Sequence, residues 1–132
     1  MATLGTFLLV ILVGFVGLTV VMQVLVHTRA KALAGKPVPP LPGPVGERVA
    51  RSKRALVYFF SPACGACRAI TPRVRELGKK NASVFAVDVS ESFDLARALR
   101  VMATPSTVEV AEGKIVGVYL GPIPDEVVAR FS

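Results

Sequence analysis

"FFSPACGACRAITP", residues 59–72, sets the only two cysteines of the chain, Cys64 and Cys67, two residues apart between an aromatic run and a stretch with helical spacing. The run leading into it, "ALVYFF" (residues 55–60), is short and continuously apolar, the pattern of a strand covered on both faces. The segment after it, "GACRAITPRVRELGKK", spaces Ile70, Val74 and Leu77 along one helical face, ends on Gly78 and two lysines, and carries Pro72 as a kink. The cysteines therefore fall where a strand ends and a helix begins, the edge at which open α/β sheets place their chemistry.

Downstream, the two hydrophobic periods keep alternating. "SVFAVDV" (residues 83–89) reads as a second strand, and "SESFDLARALRV" as a second helix, with Ser90 as its cap and Phe93, Leu95 and Leu99 offered to the core. "STVEVAEGKIVGVYLG" is two β runs around a turn containing Gly113, and "PDEVVARF" closes the chain as a short helix opened by proline and acids. Strand, helix, strand, helix, hairpin, helix is a mixed α/β order with a right-handed crossover at its front.

Upstream the composition changes. No side chain from Met1 to His27 carries a formal charge, and residues 4–26 are apolar apart from Thr6, Thr19 and Gln23. A bilayer core of about 30 Å asks for roughly 20 such residues. A cleaved secretory signal would have a basic start and a shorter apolar centre, so the stretch reads as a retained anchor over residues 1–28. "GKPVPPLPGPVGE" (residues 35–47), with five prolines and three glycines, is expected to run extended rather than helical, which makes residues 29–54 a basic linker and residues 55–132 the folded domain. Seven basic residues stand against Glu47 alone between His27 and Arg54, and nine against eight thereafter. Six of the seven excess positive charges thus sit beside the membrane, where anionic lipid explains them better than nucleic acid does.

A three-residue offset at a helix start brings two sulfurs within bonding reach, and the helix amino end favours thiolate at the first of them. Cys64 is then the nucleophile, Cys67 the thiol that releases the mixed disulfide, and no cofactor beyond that disulfide is called for. Half of a zinc site and a pair of inert buried cysteines are the competing readings. The first needs four ligands where the chain offers two cysteines and the membrane-edge His27, and the second sits poorly with the open turn described by Pro62, Ala63 and Gly65.

"VYFFSPACGACRAITP" resembles the active-site strand and helix of the thioredoxin superfamily, including the helix proline after the second cysteine. "VMATPSTVEV" looks like that family's loop in which a cis proline precedes a strand, and "AEGKIVGVYLG" like the hairpin that follows it. The resemblance covers residues 55–132 and implies a thioredoxin-like fold, a mixed central sheet with flanking helices, here preceded by one transmembrane helix. It also implies that the Thr104 and Pro105 backbone holds the substrate chain. With anchor and linker, the whole resembles membrane-tethered thioredoxin-like proteins of the cytochrome-maturation or methylamine-utilisation type. Two departures stand out: Ala63 where the family usually has tryptophan, and Tyr58 where it usually has a buried acid.

The function expected is disulfide exchange with protein thiols and disulfides by a single-pass membrane protein, with residues 4–26 and the basic linker meeting lipid, a membrane redox partner, and no nucleic acid. A copper chaperone using the same thiolates and a non-catalytic subunit of a membrane complex are the alternatives. Arg29, Lys31 and Lys36 behind the span point to a cytoplasmic domain by the positive-inside rule, whereas the resemblance points to the outer, periplasmic face, which is the side taken here.

Overall fold

A computed structural model describes residues 2–132; Met1, the first residue of the expected anchor, lies outside the described residues. Nine elements follow in order: α1 (Ala2–Ala32), α2 (Gly43–Arg51), β1 (Arg54–Phe60), α3 (Cys67–Lys80), β2 (Val84–Asp88), α4 (Phe93–Ala98), β3 (Ser106–Ala111), β4 (Lys114–Leu120) and α5 (Asp125–Phe131). The strands form one mixed sheet in the order β2-β1-β3-β4, with β1 parallel to β2 and antiparallel to β3, and β3 antiparallel to β4.

Strand β1 is central and covered on both sides, as its unbroken apolar run requires. Ala55, Val57 and Phe59 face one core with Phe85, Val87, Leu95, Leu99, Val108 and Ile115, against which α2 and α4 pack. Leu56 and Tyr58 face the other, closed by Val74 of α3 and by Val127 and Phe131 of α5. The hairpin turns through Glu112 (φ 51°) and Gly113 (φ 76°), the two left-handed residues that a two-residue turn needs if it is to match the twist of its strands.

Two local expectations fail. The Pro/Gly-rich stretch does hold a helix, because Pro44 falls in the first turn of α2, where its missing N–H costs no bond and its fixed φ suits the helix. That helix belongs to the core: Val49 is buried, the Arg48 guanidinium lies 4.9 Å from the centre of the Phe85 ring, and a Cβ on Gly46 would come within 2.6 Å of the Leu41 carbonyl oxygen. Second, α4 begins at Phe93 with Ser92 at its cap position, while Ser90 binds the Asp88 carboxylate instead; Phe93 is 64% exposed and only Leu95 and Leu99 enter the core. The turn that starts so short a helix points Phe93 outward.

The linker is also tied to the sheet. Gly35 donates its N–H to the Ile115 carbonyl at 2.6 Å, Ile115 donates to Lys36 at 2.9 Å, and Val38 donates to Gly113 at 2.9 Å, so residues 35–38 cover the start of the outer edge of β4. Helix α1 is apolar around its whole circumference, and its span Thr3–Arg29 is long and apolar enough to cross a membrane, a test that a signal sequence also passes.

A buried carboxylate staples β1, β3, β4 and α5. Glu109, 1% exposed, accepts hydrogen bonds from Arg54 Nη1 at 2.6 Å, Tyr119 Oη at 3.0 Å, and Arg130 Nε and Nη2 at 3.1 and 2.8 Å. Gly117 makes room for this, since a Cβ there would overlap the Tyr119 phenol. Burial pushes the Glu109 carboxyl up, but the bonds from Arg130, Tyr119 and Arg54 outweigh it and hold the group below its ordinary 4.5. Its stabilisation is thus complete above pH 4.5 and drains as the pH falls through the lower folded value. Glu109→Gln should cost roughly 1–3 kcal/mol near neutrality and flatten the acid limb, as read from urea unfolding midpoints over an acid pH series.

Candidate functional site

Cys64 and Cys67 are joined by a disulfide with their Cα atoms 5.4 Å apart, at the carboxyl end of β1 and the first residue of α3. The two sulfurs are not equivalent. Cys67 is 2% exposed, whereas Cys64 is half-buried and sits in the turn ahead of the helix. The turn is built by its own backbone: the Cys64 N–H bonds the Ser61 carbonyl at 3.0 Å, and the Arg68 N–H bonds Gly65 at 3.3 Å. Its consequence is that the Cys67 N–H points at Cys64 Sγ, 3.2 Å away. A main-chain donor aimed at sulfur, at the amino end of a fourteen-residue helix, stabilises negative charge on Cys64 once the disulfide opens.

Thr104 and Pro105 lie at the same edge. Residue 106 opens β3 directly opposite Phe59 near the end of β1, so the loop ahead of it stands beside the cysteine turn. The Thr104–Pro105 peptide bond is cis, Pro105 is buried, and Thr104 is half-buried. Gly121, overlooked in the sequence reading, completes this edge: it adopts φ +81° and donates its N–H to the Pro105 carbonyl at 3.0 Å. The Gly-Pro pair at 121–122 was the available signal, since such a dipeptide marks a turn. All four residues singled out from the sequence are therefore brought to one edge of the sheet. His27 stands apart, exposed on α1, and among the described residues no group of three or more His, Cys, Asp or Glu side chains is arranged to hold a metal ion.

Beneath the disulfide, Tyr58 is fully buried and its Oη lies 2.9 Å from Thr71 Oγ1, which donates its own proton to the Cys67 carbonyl at 2.8 Å. With the threonine proton committed, the tyrosine is the donor of the pair, and the chain of bonds runs from Tyr58 through Thr71 to the first turn of α3. Burial pushes the phenol up, against the opposing pull of the Thr71 bond and the Arg75 charge, so it stays neutral over the working range of a thiol. Tyr58 therefore fixes the helix start and does not accept a proton. Around the turn, Arg75 lies 5.4 Å over the Phe60 ring, adding a positive charge near the end of β1, while Arg68 is exposed.

The geometry has counterparts among known proteins. The family model described as Thioredoxin matches residues 46–131. An H-type thioredoxin of Fagopyrum esculentum is 38% identical over 82 residues, 61% of this chain and 71% of the relative, and thioredoxin H7 of Arabidopsis thaliana is 37% identical over 83 residues, 61% and 64%. Among solved structures, the reduced thioredoxin pre-protein of Schistosoma mansoni superposes with a TM-score of 0.58 at 26% identity, covering 71% of this chain and 95% of its own. Thioredoxin of Fasciola hepatica gives 0.51 at 34% identity, covering 61% and 82%.

A Tyr58→Phe protein should lose about 1 kcal/mol of stability with its hydrogen bond. Its disulfide-exchange rate should keep the same pH profile, followed by stopped-flow over a pH series; a lost or displaced limb would make the phenol a proton carrier after all.

Proposed function

The chain belongs to the thioredoxin family, and from that membership we propose that it is a membrane-tethered thiol-disulfide oxidoreductase in which Cys64 attacks and Cys67 resolves. Thiol-disulfide exchange with protein substrates is the activity of the family; the tether, the roles of single residues and the side of the membrane are our reading. The observation that carries it is the asymmetry of the pair, one sulfur accessible and held by a backbone N–H, the other sealed behind it.

Starting from the reduced pair, the Cys64 thiolate attacks one sulfur of a partner disulfide, and the partner's other sulfur leaves as a thiolate and takes up a proton. Cys67 then loses its proton and attacks Cys64 Sγ, releasing the second partner sulfur. Two electrons and two protons pass to the partner, and the Cys64–Cys67 bond closes. Run backwards, the same steps oxidise a partner dithiol. The half-buried Thr104, ahead of the buried Pro105, offers backbone groups with which a partner chain pairs while its disulfide reaches Cys64. Tyr58, in place of an acid, leaves the Cys67 proton to solvent.

The span Thr3–Arg29 supports the tether, and the apolar circumference of α1 suits lipid on every side. We place the start of the redox domain at the linker pairing near Gly35 rather than at residue 55, since α2 and residues 35–41 contribute to its core. The resemblance to tethered proteins of the cytochrome-maturation or methylamine-utilisation type supports the outer face of the membrane. The copper-carrier alternative has little behind it: the domain contributes no histidine beside the pair.

Two experiments follow. Cys64→Ser should abolish exchange with a protein disulfide, and Cys67→Ser should trap a mixed disulfide visible on a non-reducing gel; activity untouched by Cys64→Ser rejects the enzyme. In intact cells, a membrane-impermeant thiol reagent applied after reduction should label Cys64 from outside; labelling only after lysis moves the domain to the cytoplasm.

A further inference from the structure

The direction in which α1 leaves the domain bears on which substrates the disulfide meets, and this rests on the membrane reading just given. Strand β4 runs from Lys114 to Leu120, and its two ends mark opposite edges of the sheet. Leu120 pairs with Ser106, next to Pro105, at the edge that carries the disulfide, whereas Lys114 pairs with Ala111 at the far edge. The linker is fastened to that far end, through Gly35, Lys36 and Val38 on Ile115 and Gly113.

Followed back from there towards the amino terminus, α1 runs alongside β4 towards Leu120, so the two chain directions are antiparallel. Its last turns form one wall of a cavity of about 370 Å³, with Leu33, Arg29 and Val26 on the helix side and Met102, Ser106 and Leu120 on the domain side. Val26 is thus level with the disulfide edge, and the fully exposed apolar part of the helix, ahead of it, continues past that edge. The span ends at Arg29. A cation at the end of a span sits among lipid headgroups, a layer only about 5–8 Å deep on each side. Lys36 and Arg100 also line this cleft, and Met102, two residues before Thr104, is 64% exposed beside it. An apolar side chain exposed beside a cleft that Arg29 and Arg100 also line is the surface that an anionic lipid boundary accepts.

We propose that α1 holds the disulfide edge against the bilayer surface, so that the substrate is a cysteine pair carried at headgroup level by a membrane-embedded protein. The chemistry is the exchange already written, with the partner's two sulfurs supplied from within or just above the headgroups. A freely diffusing protein would have to approach through the narrow gap between domain and lipid.

The full chain, reduced with a small dithiol that is then removed, is placed in phosphatidylcholine vesicles with single-span synthetic peptides. One peptide carries a disulfide loop about three residues beyond its apolar stretch, and the other carries the same loop on a proline-rich spacer of about fifteen residues, roughly 45 Å out. Single-turnover exchange is quenched with acid and read by mass spectrometry, counting only outward-facing chains. We expect the near loop to react at least about tenfold faster, because both loops share the same confinement to the vesicle and differ only in height. Inserting about ten Gly/Ser residues between Ala34 and Gly35 should bring the ratio towards one while the far peptide still reacts. Equal rates in the parent chain, or a faster far loop, overturn the proposal and leave the oxidoreductase standing. Exchange that persists in Cys64→Ser overturns the oxidoreductase itself, and a chain that fails to float with the vesicles overturns the anchor and this orientation together.

Discussion

Burial of β1 on both faces is the constraint from which the redox edge follows. A strand with no solvent face cannot slip by one residue without exchanging its two cores, Ala55, Val57 and Phe59 on one side for Leu56 and Tyr58 on the other. Its carboxyl end is therefore fixed relative to β3, and with it the distance between the cysteine turn and the cis-proline loop. The rest of the site adds to that fixed frame. Tyr58, part of the same strand, reaches through Thr71 to the first turn of α3, so one apolar run positions the sulfurs both along the sheet and in depth.

Much of this frame was legible in the sequence because it is written in local patterns. An uninterrupted apolar hexamer announces a doubly covered strand, "AEGK" between two β runs announces a hairpin with Gly113 in its turn, and two cysteines before a helical face announce the chemistry. What was illegible depends on partners far along the chain. Glu109 looks like an outward residue of a strand until Arg54, Tyr119 and Arg130 converge on it from three other elements. The helix inside the proline-rich stretch was missed because proline was counted as a breaker without regard to position, and in a first turn it is a starter. Apolarity offers Phe93 to the core, but residues two apart lie on opposite faces of a helix, so burying Leu95 and Leu99 turns Phe93 outward.

The two polar clusters of the interior do different work. Around Glu109, every oxygen lone pair meets a donor and the charge is matched twice over, so the group is a structural tie that acid alone undoes. At Tyr58 the bonded groups carry no formal charge: hydroxyls pass a single direction of hydrogen bonding inward to the Cys67 carbonyl. The disulfide thus sits above hydrogen-bonded hydroxyls rather than above an ion pair.

Between the end of the apolar span at Arg29 and the first bond of the linker to β4 at Gly35 there is almost no free chain, since α1 continues to Ala32 and the Ala34 N–H is held by the Lys31 carbonyl. Such a joint has no slack to let the domain tumble. In a bilayer, the domain would spin with its helix about the membrane normal, at a pace set by lipid viscosity rather than by water, and its encounters would scale with the crowding of proteins per unit area instead of per unit volume.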